Sequence, residues 1–346
     1  MSLEFAIWDH FERQQNVSLE RQYAERMELV AQAEAYGFSG YHVAEHHLTP
    51  LDMAPSPMMY LSALAQHTSR IRLGSMVLCL PLYHPVRLLQ EICMLDHISG
   101  GRFEPGVGRG IRDIEHEWFG LDPLEARARY AETLEVLLQG LEHGRLNFRG
   151  RYFAFDDVEV AWRSAQQPLP PLWYAGTISS AADQGMNGLS GAATAEVYED
   201  FWRRWERHRA SGSRLHQREP KVGSTRWLVV ADSDAAARAI ARRAWRVYQD
   251  HFFATEVRAG GKRMPRTSAG DNADLRIEAG QLLAGSPDTI RGALEAFLRA
   301  AGPGHTYLAG AFQWGDMTHA EATRSLQLYA SEVMPALAER RQGVGV

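Results

Sequence analysis

Histidines gather after the second predicted strand of the chain, where such side chains can do acid–base chemistry. His42 lies within that strand, and Glu45, His46 and His47 follow it directly. Adjacent side chains at a strand end cannot point the same way, so one can face a site while the other packs sideways. A histidine there suits a general base or a metal ligand. A hydrogen-bonded structural role is favoured for His42 and His47, which leaves His46 as the catalytic candidate.

A metal site would need further histidine or carboxylate ligands from other strand ends. Asp9 and His10, after the first predicted strand, could supply two of them. Neither an HxH nor an HExxH pattern occurs in the chain. The sequence therefore predicts no metal.

A glycine-rich turn with an arginine follows the fourth predicted strand. Gly106, Gly108 and Gly110 alternate with Val107 and Arg109. Glycines let a ligand approach the backbone closely, and an arginine there brings a fixed positive charge suited to a phosphate. The spacing is not that of the GxGxxG dinucleotide fingerprint. Taken alone, the segment does not outweigh a tight turn with a surface arginine.

Hydroxyl side chains open the helix after the fifth predicted strand. Residues 176–180 include Thr177, Ser179 and Ser180. Free backbone N–H groups, hydroxyls and the positive end of the helix dipole make such a turn a ready anion site. An ordinary N-cap is the common alternative. This cluster and Arg109 follow neighbouring strands, so both could reach one phosphate.

Eight strand candidates alternate with helices and would position these groups. Short apolar runs predict the strands, and apolar residues at helical spacing predict the helices between them. The predicted helices include one from Leu19 that Gly37 ends and another at Ala195–Ala210. The candidates are Leu3–Trp8, Phe38–Ala44, Ile71–Leu80, Arg102–Val107, Leu172–Ala175, Gly188–Ala192, Lys221–Ala231 and Thr306–Phe312. This alternation predicts an α/β protein with a parallel sheet and right-handed crossovers. Eight units favour a (β/α)8 TIM barrel, with an open doubly wound sheet as the alternative.

Two stretches interrupt the alternation. Residues 144–171, rich in aromatic residues and proline, predict an insertion before strand five. Residues 254–281, after strand seven, form a long loop that contains no Phe, Trp or Tyr. A loop of this length predicts an active-site lid, and a passive solvent-exposed insertion is the alternative.

The composition of the 346 residues narrows the class of protein. Basic residues number 37 and acidic residues 42, and the net charge of −5 disfavours nucleic acid or a membrane as the main partner. Cys79 and Cys93 fit neither a CxxC pair nor a disulfide framework, which predicts buried thiols in a reducing compartment. No signal peptide or membrane span is recognised. We expect one cytoplasmic domain, residues 1–346.

Several short stretches, spread in order over nearly the whole chain, carry a resemblance to a known family. They are residues 41–47 (YHVAEHH), 84–87 (HPVR), 95–110 (LDHISGGRFEPGVGRG), 117–120 (EWFG), 150–155 (GRYFAF), 170–176 (PPLWYAG), 285–287 (GSP), 312–315 (FQWG) and 333–335 (VMP). In their order and spacing they resemble the bacterial luciferase-like flavin monooxygenases. The resemblance implies a (β/α)8 barrel, reduced FMN delivered by a partner flavin reductase, and molecular oxygen as co-substrate. We also expect a homodimer.

By position, the resemblance implies roles for individual residues. His46 matches the active-site histidine of the family, and Arg109 matches its flavin-phosphate arginine. Thr177 and Ser180 match the phosphate-binding hydroxyl positions, and Ser179 belongs to the same cluster. The phosphate of reduced FMN would thus lie near Arg109, and His46 would handle a proton in the oxygen chemistry.

The third predicted strand ends where relatives often carry a non-prolyl cis peptide facing the flavin. Ser75–Met76 lies at that position, so both residues are predicted cofactor contacts, although the apolar run also fits plain barrel core. Two departures from the family concern Gly108, which replaces the cysteine that luciferases place beside the flavin, and Pro105, which lacks a strand N–H. Light emission from a long-chain aldehyde is therefore not expected, whereas oxygenation of another small organic substrate is.

Two alternative functions stay open at this point. Some relatives use the deazaflavin F420, so the chain could be an F420-dependent oxidoreductase that moves a hydride and needs no oxygen. It could also bind flavin without turnover. Absorbance separates the two cofactors, and oxygen consumption with reduced FMN separates a monooxygenase from a mere binder.

Overall fold

The computed structural model of the chain describes residues 2–191, 194–254 and 272–343. The elements of the first half are β1 (Glu4–Asp9), α1 (Leu19–Ala35), β2 (Gly40–Val43), α2 (Pro57–His67), β3 (Arg72–Ser75), β4 (Leu78–Cys79), α3 (Pro85–Ile98), β5 (Phe103–Glu104), β6 (Gly106–Gly108), α4 (Asp113–Trp118) and α5 (Ala126–His143). Those of the second half are β7 (Arg145–Arg149), β8 (Ala154–Glu159), β9 (Trp173–Tyr174), α6 (Ile178–Asp183), β10 (Asn187–Ser190), α7 (Ala195–Ala210), β11 (Val222–Val230), α8 (Asp234–Phe252), α9 (Ala273–Glu278), β12 (Leu282–Gly285), α10 (Pro287–Ala301), β13 (Tyr307–Ala311), α11 (His319–Leu328) and α12 (Met334–Gly343). A π-helical turn, Tyr329–Val333, joins α11 to α12.

Capping residues and glycines mark the ends of several helices. Ser18 caps α1 by accepting a hydrogen bond from the backbone N–H of Arg21, and Gly37 follows its last turn in the left-handed region. Thr318 and Glu321 form a capping box at the start of α11. The predicted helix Ala195–Ala210 is confirmed as α7.

The strands form one curled sheet in which every described pairing is parallel. The strand order is β4-β6-β9-β10-β11-β13-β1-β2-β3-β5, and β12 pairs with β11. The first described strand and the last, β1 and β13, are neighbours in the sheet. A curled parallel sheet with helices between its strands confirms the prediction of an α/β protein.

Two consecutive predicted strands are each interrupted in the structure. The third breaks between β3 and β4, and the fourth breaks at Pro105, which has no N–H to donate. The non-prolyl cis peptide bond joins Met76 to Val77, so its predicted place at Ser75–Met76 is wrong by one bond. Ser75 still pairs with Val43 of β2, and the backbone N–H of Met76 still bonds to the Val43 carbonyl, so the chain leaves the ladder only after Met76.

Several elements were not predicted. Residues 144–171 contain the antiparallel hairpin of β7 and β8, which forms a sheet of its own. Helix α4 and strand β12 were both missed. The stretch 254–281 was predicted to be a structureless lid or insertion, but its last part holds α9, capped by Asn272 and packed through Ala273 against the core. Residues 255–271, on which the lid prediction mainly falls, lie outside the described residues.

A buried ion pair ties the end of β1 to α1. The Arg26 Nη1 lies 2.6 Å from the Asp9 Oδ1, and each side chain is 2% exposed. Asp9 also accepts hydrogen bonds from the Tyr41 hydroxyl and the Phe11 backbone N–H. The same Arg26 nitrogen donates to the carbonyl of Gln313, beyond β13. This network fixes the backbone from which the next residue, His10, projects.

The carboxylate of Glu34, near the end of α1, holds the turn that leads into β3. It accepts hydrogen bonds from the backbone N–H groups of Ser69, Arg70 and Ile71 and from the Ser69 hydroxyl. Burial opposes ionisation of Glu34, but these hydrogen bonds outweigh it and lower its pKa to about 2.

We expect Glu34→Gln to destabilise the protein at neutral pH by about 1 kcal/mol, a value discounted for solvent screening of this largely solvated group. A pKa lower in the folded than in the unfolded chain stabilises the fold above the unfolded value, about 4.3. That contribution is lost as the pH falls through about 2. Urea unfolding at pH 7 and pH 3 measures the difference, with Glu135→Gln, exposed on α5, as the control. A loss of equal size at both pH values would contradict the assignment.

Candidate active site

A cavity of about 400 Å³ opens at the carboxyl ends of the parallel strands. Ligand sites of parallel α/β folds lie at this edge, because loops from every strand meet there. Most of the wall residues lie at or just after the ends of β1, β2, β3, β4, β6, β9 and β10, and the others belong to α4 and β11. They are Trp8, His10, Ala44, Glu45, His46, Met76, Val77, Cys79, Gly108, Arg109, Gly110, Ile111, Glu115, Tyr174, Ala175, Leu189, Ser190, Gly191 and Thr225.

His46 lies in this wall and is held from two sides. Its backbone N–H donates to the Asp52 Oδ2 at 3.0 Å, and its ring Nδ1 lies 3.2 Å from the Glu115 Oε1. Asp52 also accepts from the backbone N–H of Ala54, and burial raises the pKa of its carboxyl group well above the usual range. Among the hydrogen bonds between described residues, none involves the Nε2 of His46. That nitrogen is the one available for proton transfer.

His47 points away from the cavity, as the sequence analysis predicted for one of the two neighbours. Its Nε2 lies 2.9 Å from the Glu45 Oε1, and its ring packs edge-on against Phe119. Glu45 is fully buried, and its other oxygen accepts from the Cys79 backbone N–H and the Tyr83 hydroxyl. Three donors therefore hold this carboxylate in place. His42 is also structural, since its Nε2 pairs with the Tyr307 hydroxyl inside the sheet.

His10 brings a second imidazole to the cavity. Its ring centroid lies 5.7 Å from that of His46, and it packs between Trp8 and Tyr248. Burial, together with the nearby His46 and Arg112, holds the pKa of His10 well below its usual range. His10 is therefore neutral near pH 7, when one of its ring nitrogens donates and the other accepts.

Arg109 is exposed at the rim of the cavity. Its guanidinium makes no hydrogen bond or ion pair with any residue that the structure describes. The loop is fixed instead through its backbone, because the buried ring of His116 lies 3.0 Å from the Arg109 carbonyl and 3.1 Å from that of Arg112. A cation on a rigid backbone, open to solvent, suits an anionic ligand.

The hydroxyl cluster lies on the loop beside Arg109, because β6 pairs with β9. Thr177 caps α6 by accepting from the Ser180 backbone N–H, and its hydroxyl donates to the Ser180 Oγ at 2.6 Å. The Ser179 hydroxyl lies 3.4 Å from the Thr177 Oγ1. These three residues follow β9 at the same sheet edge as Arg109, but they do not line the cavity itself.

Ser75 and Met76, both predicted to contact the cofactor, take different places in the structure. Met76 lines the cavity, whereas Ser75 does not. Ser75 is fully buried, and its hydroxyl donates to the Gly106 carbonyl and accepts from the Gly106 N–H, bridging the two interrupted strands. Ser75 therefore supports the wall from behind.

Sequence reasoning missed Glu115, which the structure brings against His46. It also missed the wall residues Tyr174, Leu189 and Thr225. Among residues 2–191, 194–254 and 272–343, no cluster of three or more His, Cys, Asp or Glu side chains could hold a metal ion. No helix in these ranges is long and apolar enough to cross a membrane.

The curled parallel sheet and the cavity at its carboxyl edge define an α/β protein with a small-molecule site. The sequence profile of luciferase-like monooxygenases matches residues 3–305, so the chain belongs to that family. This match confirms the resemblance carried by the short sequence stretches.

Individual relatives span different shares of the chain. "Uncharacterized protein y4wF" of Sinorhizobium fredii is 34% identical over 338 residues, 96% of each chain. The oxygenase component of the flavin-dependent trigonelline monooxygenase of Acinetobacter baylyi is 32% identical over 176 residues, 50% of this chain and 49% of that one. The 4-hydroxyprotoasukamycin monooxygenase of Streptomyces nodosus subsp. asukaensis is 28% identical over 336 residues, 92% of this chain and 88% of that one.

Solved structures share the fold at low identity. Monooxygenase RslO1 of Streptomyces bottropensis has a TM-score of 0.82 at 21% identity, covering 97% of this chain and 100% of its own. The oxygenating constituent of 3,6-diketocamphane monooxygenase of Pseudomonas putida, in complex with FMN, has a TM-score of 0.76 at 18% identity, covering 97% and 98%. The coenzyme F420-dependent tetrahydromethanopterin reductase of Methanopyrus kandleri has a TM-score of 0.69 at 21% identity, covering 97% and 100%.

Proposed function

We propose that this protein is the oxygenase component of a flavin-dependent monooxygenase. It takes reduced FMN from a partner reductase and uses molecular oxygen to oxygenate a small organic substrate. The observation that carries the proposal is the meeting, at one cavity, of the His46–Glu115 pair with the exposed Arg109. Membership of the luciferase-like monooxygenase family supports the reaction class. The flavin-dependent oxygenase component of Acinetobacter baylyi and the FMN complex of Pseudomonas putida support the cofactor and the reductase.

The chemistry of the cavity wall fits a flavin. A volume of about 400 Å³ falls within the range of small-molecule sites, roughly 300–1,000 Å³. Apolar and aromatic side chains, including Met76, Val77, Leu189 and Trp8, suit a flat ring system. Arg109 at the rim suits a phosphate. The cavity thus offers a cation at its rim and apolar side chains beside the imidazoles of His10 and His46.

Individual residues are assigned to the flavin on this basis. Arg109 would hold the FMN phosphate, with Thr177, Ser179 and Ser180 from the adjoining loop as further hydrogen-bonding groups. Met76 would contact the ring system. Ser75 would act only indirectly, because its hydroxyl already bridges to Gly106.

Reduced FMN, when bound, supplies the electrons that activate molecular oxygen. The residues of this chain position, shield and move a proton. The apolar wall excludes water from the reacting groups. His46, through its Nε2, gives or takes a proton at the cavity surface. The neutral His10 presents one donor and one acceptor to a substrate.

Hydride transfer to or from F420 is the competing function, and it is supported by the fold shared with F420-dependent proteins. Non-catalytic flavin binding is the other alternative. We further propose that the curled sheet is a (β/α)8 barrel in a single domain, supported by the pairing of β13 with β1 and of the two interrupted strands with each other. A homodimer and a cytoplasmic location stay predictions.

The test supplies the purified protein with FMN, NADH and a flavin reductase under ¹⁸O₂. Oxygen uptake and mass spectrometry of a panel of small organic compounds are then measured. One ¹⁸O atom in a product, dependent on the protein, supports the proposal. Anaerobic oxidation of a substrate with F420 as acceptor, or failure to bind reduced FMN, overturns it.

Arg109→Ala is expected to weaken the binding of reduced FMN at least tenfold, because a hydrogen bond to a charged group contributes about 1.5–3 kcal/mol. Anaerobic titration followed by flavin fluorescence or calorimetry gives the affinity. Arg87→Ala, an exposed position on α3 paired with Glu91, serves as the control. Unchanged affinity in Arg109→Ala would place the phosphate elsewhere.

A further inference from the structure

We propose that Glu115 is a positioning residue, which orients the His46 imidazole and decides which of its nitrogens carries the proton. Glu115 faces His46 from α4, an element absent from the predicted secondary structure. The proposal rests on the proposed function, in which the Nε2 of His46 transfers a proton at the cavity. It adds to that function the residue that fixes the orientation and the tautomer of the His46 imidazole.

The hydrogen-bond geometry restricts the histidine ring. The Glu115 Oε1 lies 3.2 Å from the His46 Nδ1 and 3.3 Å from the backbone nitrogen of His47. An ionised carboxylate can only accept hydrogen bonds, so the Nδ1 of His46 must be the donor. In the neutral ring the Nε2 then has a free lone pair, and no hydrogen bond between described residues involves this nitrogen.

Burial strengthens the hydrogen bond between Glu115 and His46. The side chain of His46 is 9% exposed and that of Glu115 is 4% exposed, so little water competes for either group. A hydrogen bond between such groups is electrostatically stronger than in water, and losing one partner leaves the other unsatisfied. The backbone of His46 is fixed separately by Asp52, so the contact of Glu115 with His46 itself is made through the ring, while its contact with His47 is made through the backbone N–H.

The position of Glu115 is itself well defined. It follows the Arg109 turn on the short helix α4, where the buried His116 ring lies between the carbonyl oxygens of Arg109 and Arg112, 3.0 and 3.1 Å from its two nitrogens. The carboxylate therefore projects from a fixed backbone. Two other buried carboxyl groups lie nearby. Glu45 is already bonded to His47, Cys79 and Tyr83, and Asp52 accepts from the backbone N–H groups of His46 and Ala54.

The first test is nuclear magnetic resonance of flavin-free protein with ¹⁵N-labelled histidine, recorded at a pH where the His46 ring is neutral. The His46 signals are assigned by their loss in His46→Gln. We expect wild type to carry the proton on Nδ1 and Glu115→Met to shift it to Nε2, the nitrogen that free histidine prefers. Glu115→Gln, whose carbonyl oxygen can still accept, is expected to restore the Nδ1 form. Glu117→Gln, exposed on the same helix, is expected to match wild type.

The second test measures product formed per oxygen consumed, with reduced FMN and a substrate found as above. Glu115→Met is expected to lower this ratio at least tenfold at saturating reduced FMN, and Glu115→Gln to recover most of it. A wild-type ring with its proton on Nε2, or a Glu115→Met ring that keeps it on Nδ1, overturns the positioning role whatever the enzyme does. A tautomer that shifts as expected in a protein that oxygenates nothing would instead overturn the proposed function alone.

Discussion

His46→Ala is expected to lower product formation by about a hundredfold or more while leaving the binding of reduced FMN intact. Positioned acid–base groups contribute roughly 10²–10⁴-fold to rate. His46 lines the cavity, whereas the proposed phosphate contacts lie on other loops. Oxygen would still be consumed without that proton transfer, so we expect more hydrogen peroxide to be released for each oxygen consumed.

The measurement compares product, peroxide and oxygen uptake in wild type, His46→Ala and a control. His67→Ala is a suitable control, because His67 is exposed in the last turn of α2, away from the cavity wall. Loss of flavin binding together with a normal product-to-oxygen ratio would assign His46 a structural role instead. Addition of imidazole offers a further check, since a small base can enter the space that the side chain leaves.

Arg26→Met is expected to destabilise the protein by about 3–5 kcal/mol, because it leaves the buried carboxylate of Asp9 without its cation. Both side chains of the pair are 2% exposed, so solvent cannot replace the missing charge. Combining Arg26→Met with Asp9→Asn removes the unpaired charge, and we expect the double variant to be more stable than Arg26→Met alone. Urea unfolding measures the free energy of unfolding of the single variant and of the double variant.

The control for this ion pair lies on the same helix. Arg21 is paired with Glu25, but its side chain is 73% exposed, so Arg21→Met should cost no more than about 1 kcal/mol. If Arg26→Met costs no more than Arg21→Met, the buried pair does not stabilise the fold. Comparing Arg26→Met with Arg21→Met therefore shows how much of the stabilisation by the Arg26–Asp9 pair depends on its burial.

The sequence predicted those elements whose signals are local and repeated. Helix α7 has both of its predicted ends, and Gly37 ends α1 as expected. Strand β12 was missed because Leu282–Gly285 is short and follows a long polar stretch. Helix α4 was missed for a similar reason, since six residues, Asp113–Trp118, are too few to display helical periodicity and most of them are charged or aromatic.

For the site, the sequence predicted the residues at strand ends but not the contacts that depend on the tertiary fold. His46 and Arg109 could be found because each follows a strand, and the carboxyl ends of parallel strands meet at one edge. The partner of His46 could not, because the contact with Glu115 depends on how α4 packs across the end of β2. Ser75 shows the converse, since residue type favours a ligand contact whereas the structure directs its hydroxyl to Gly106. Side-chain direction at a strand interruption is a tertiary property.

The run from Gly106 to Trp118 has a consequence for how such proteins diversify. One uninterrupted stretch of gene encodes a wall of the cavity, the exposed guanidinium of Arg109 and the carboxylate that faces His46. A recombination event or a laboratory graft that replaces this stretch would exchange Arg109 and Glu115 together. His46 would not be exchanged, because it follows β2, outside the stretch. Chimeras between relatives should therefore tolerate the whole stretch better than either half of it, and libraries built for new substrates should vary it as a single block.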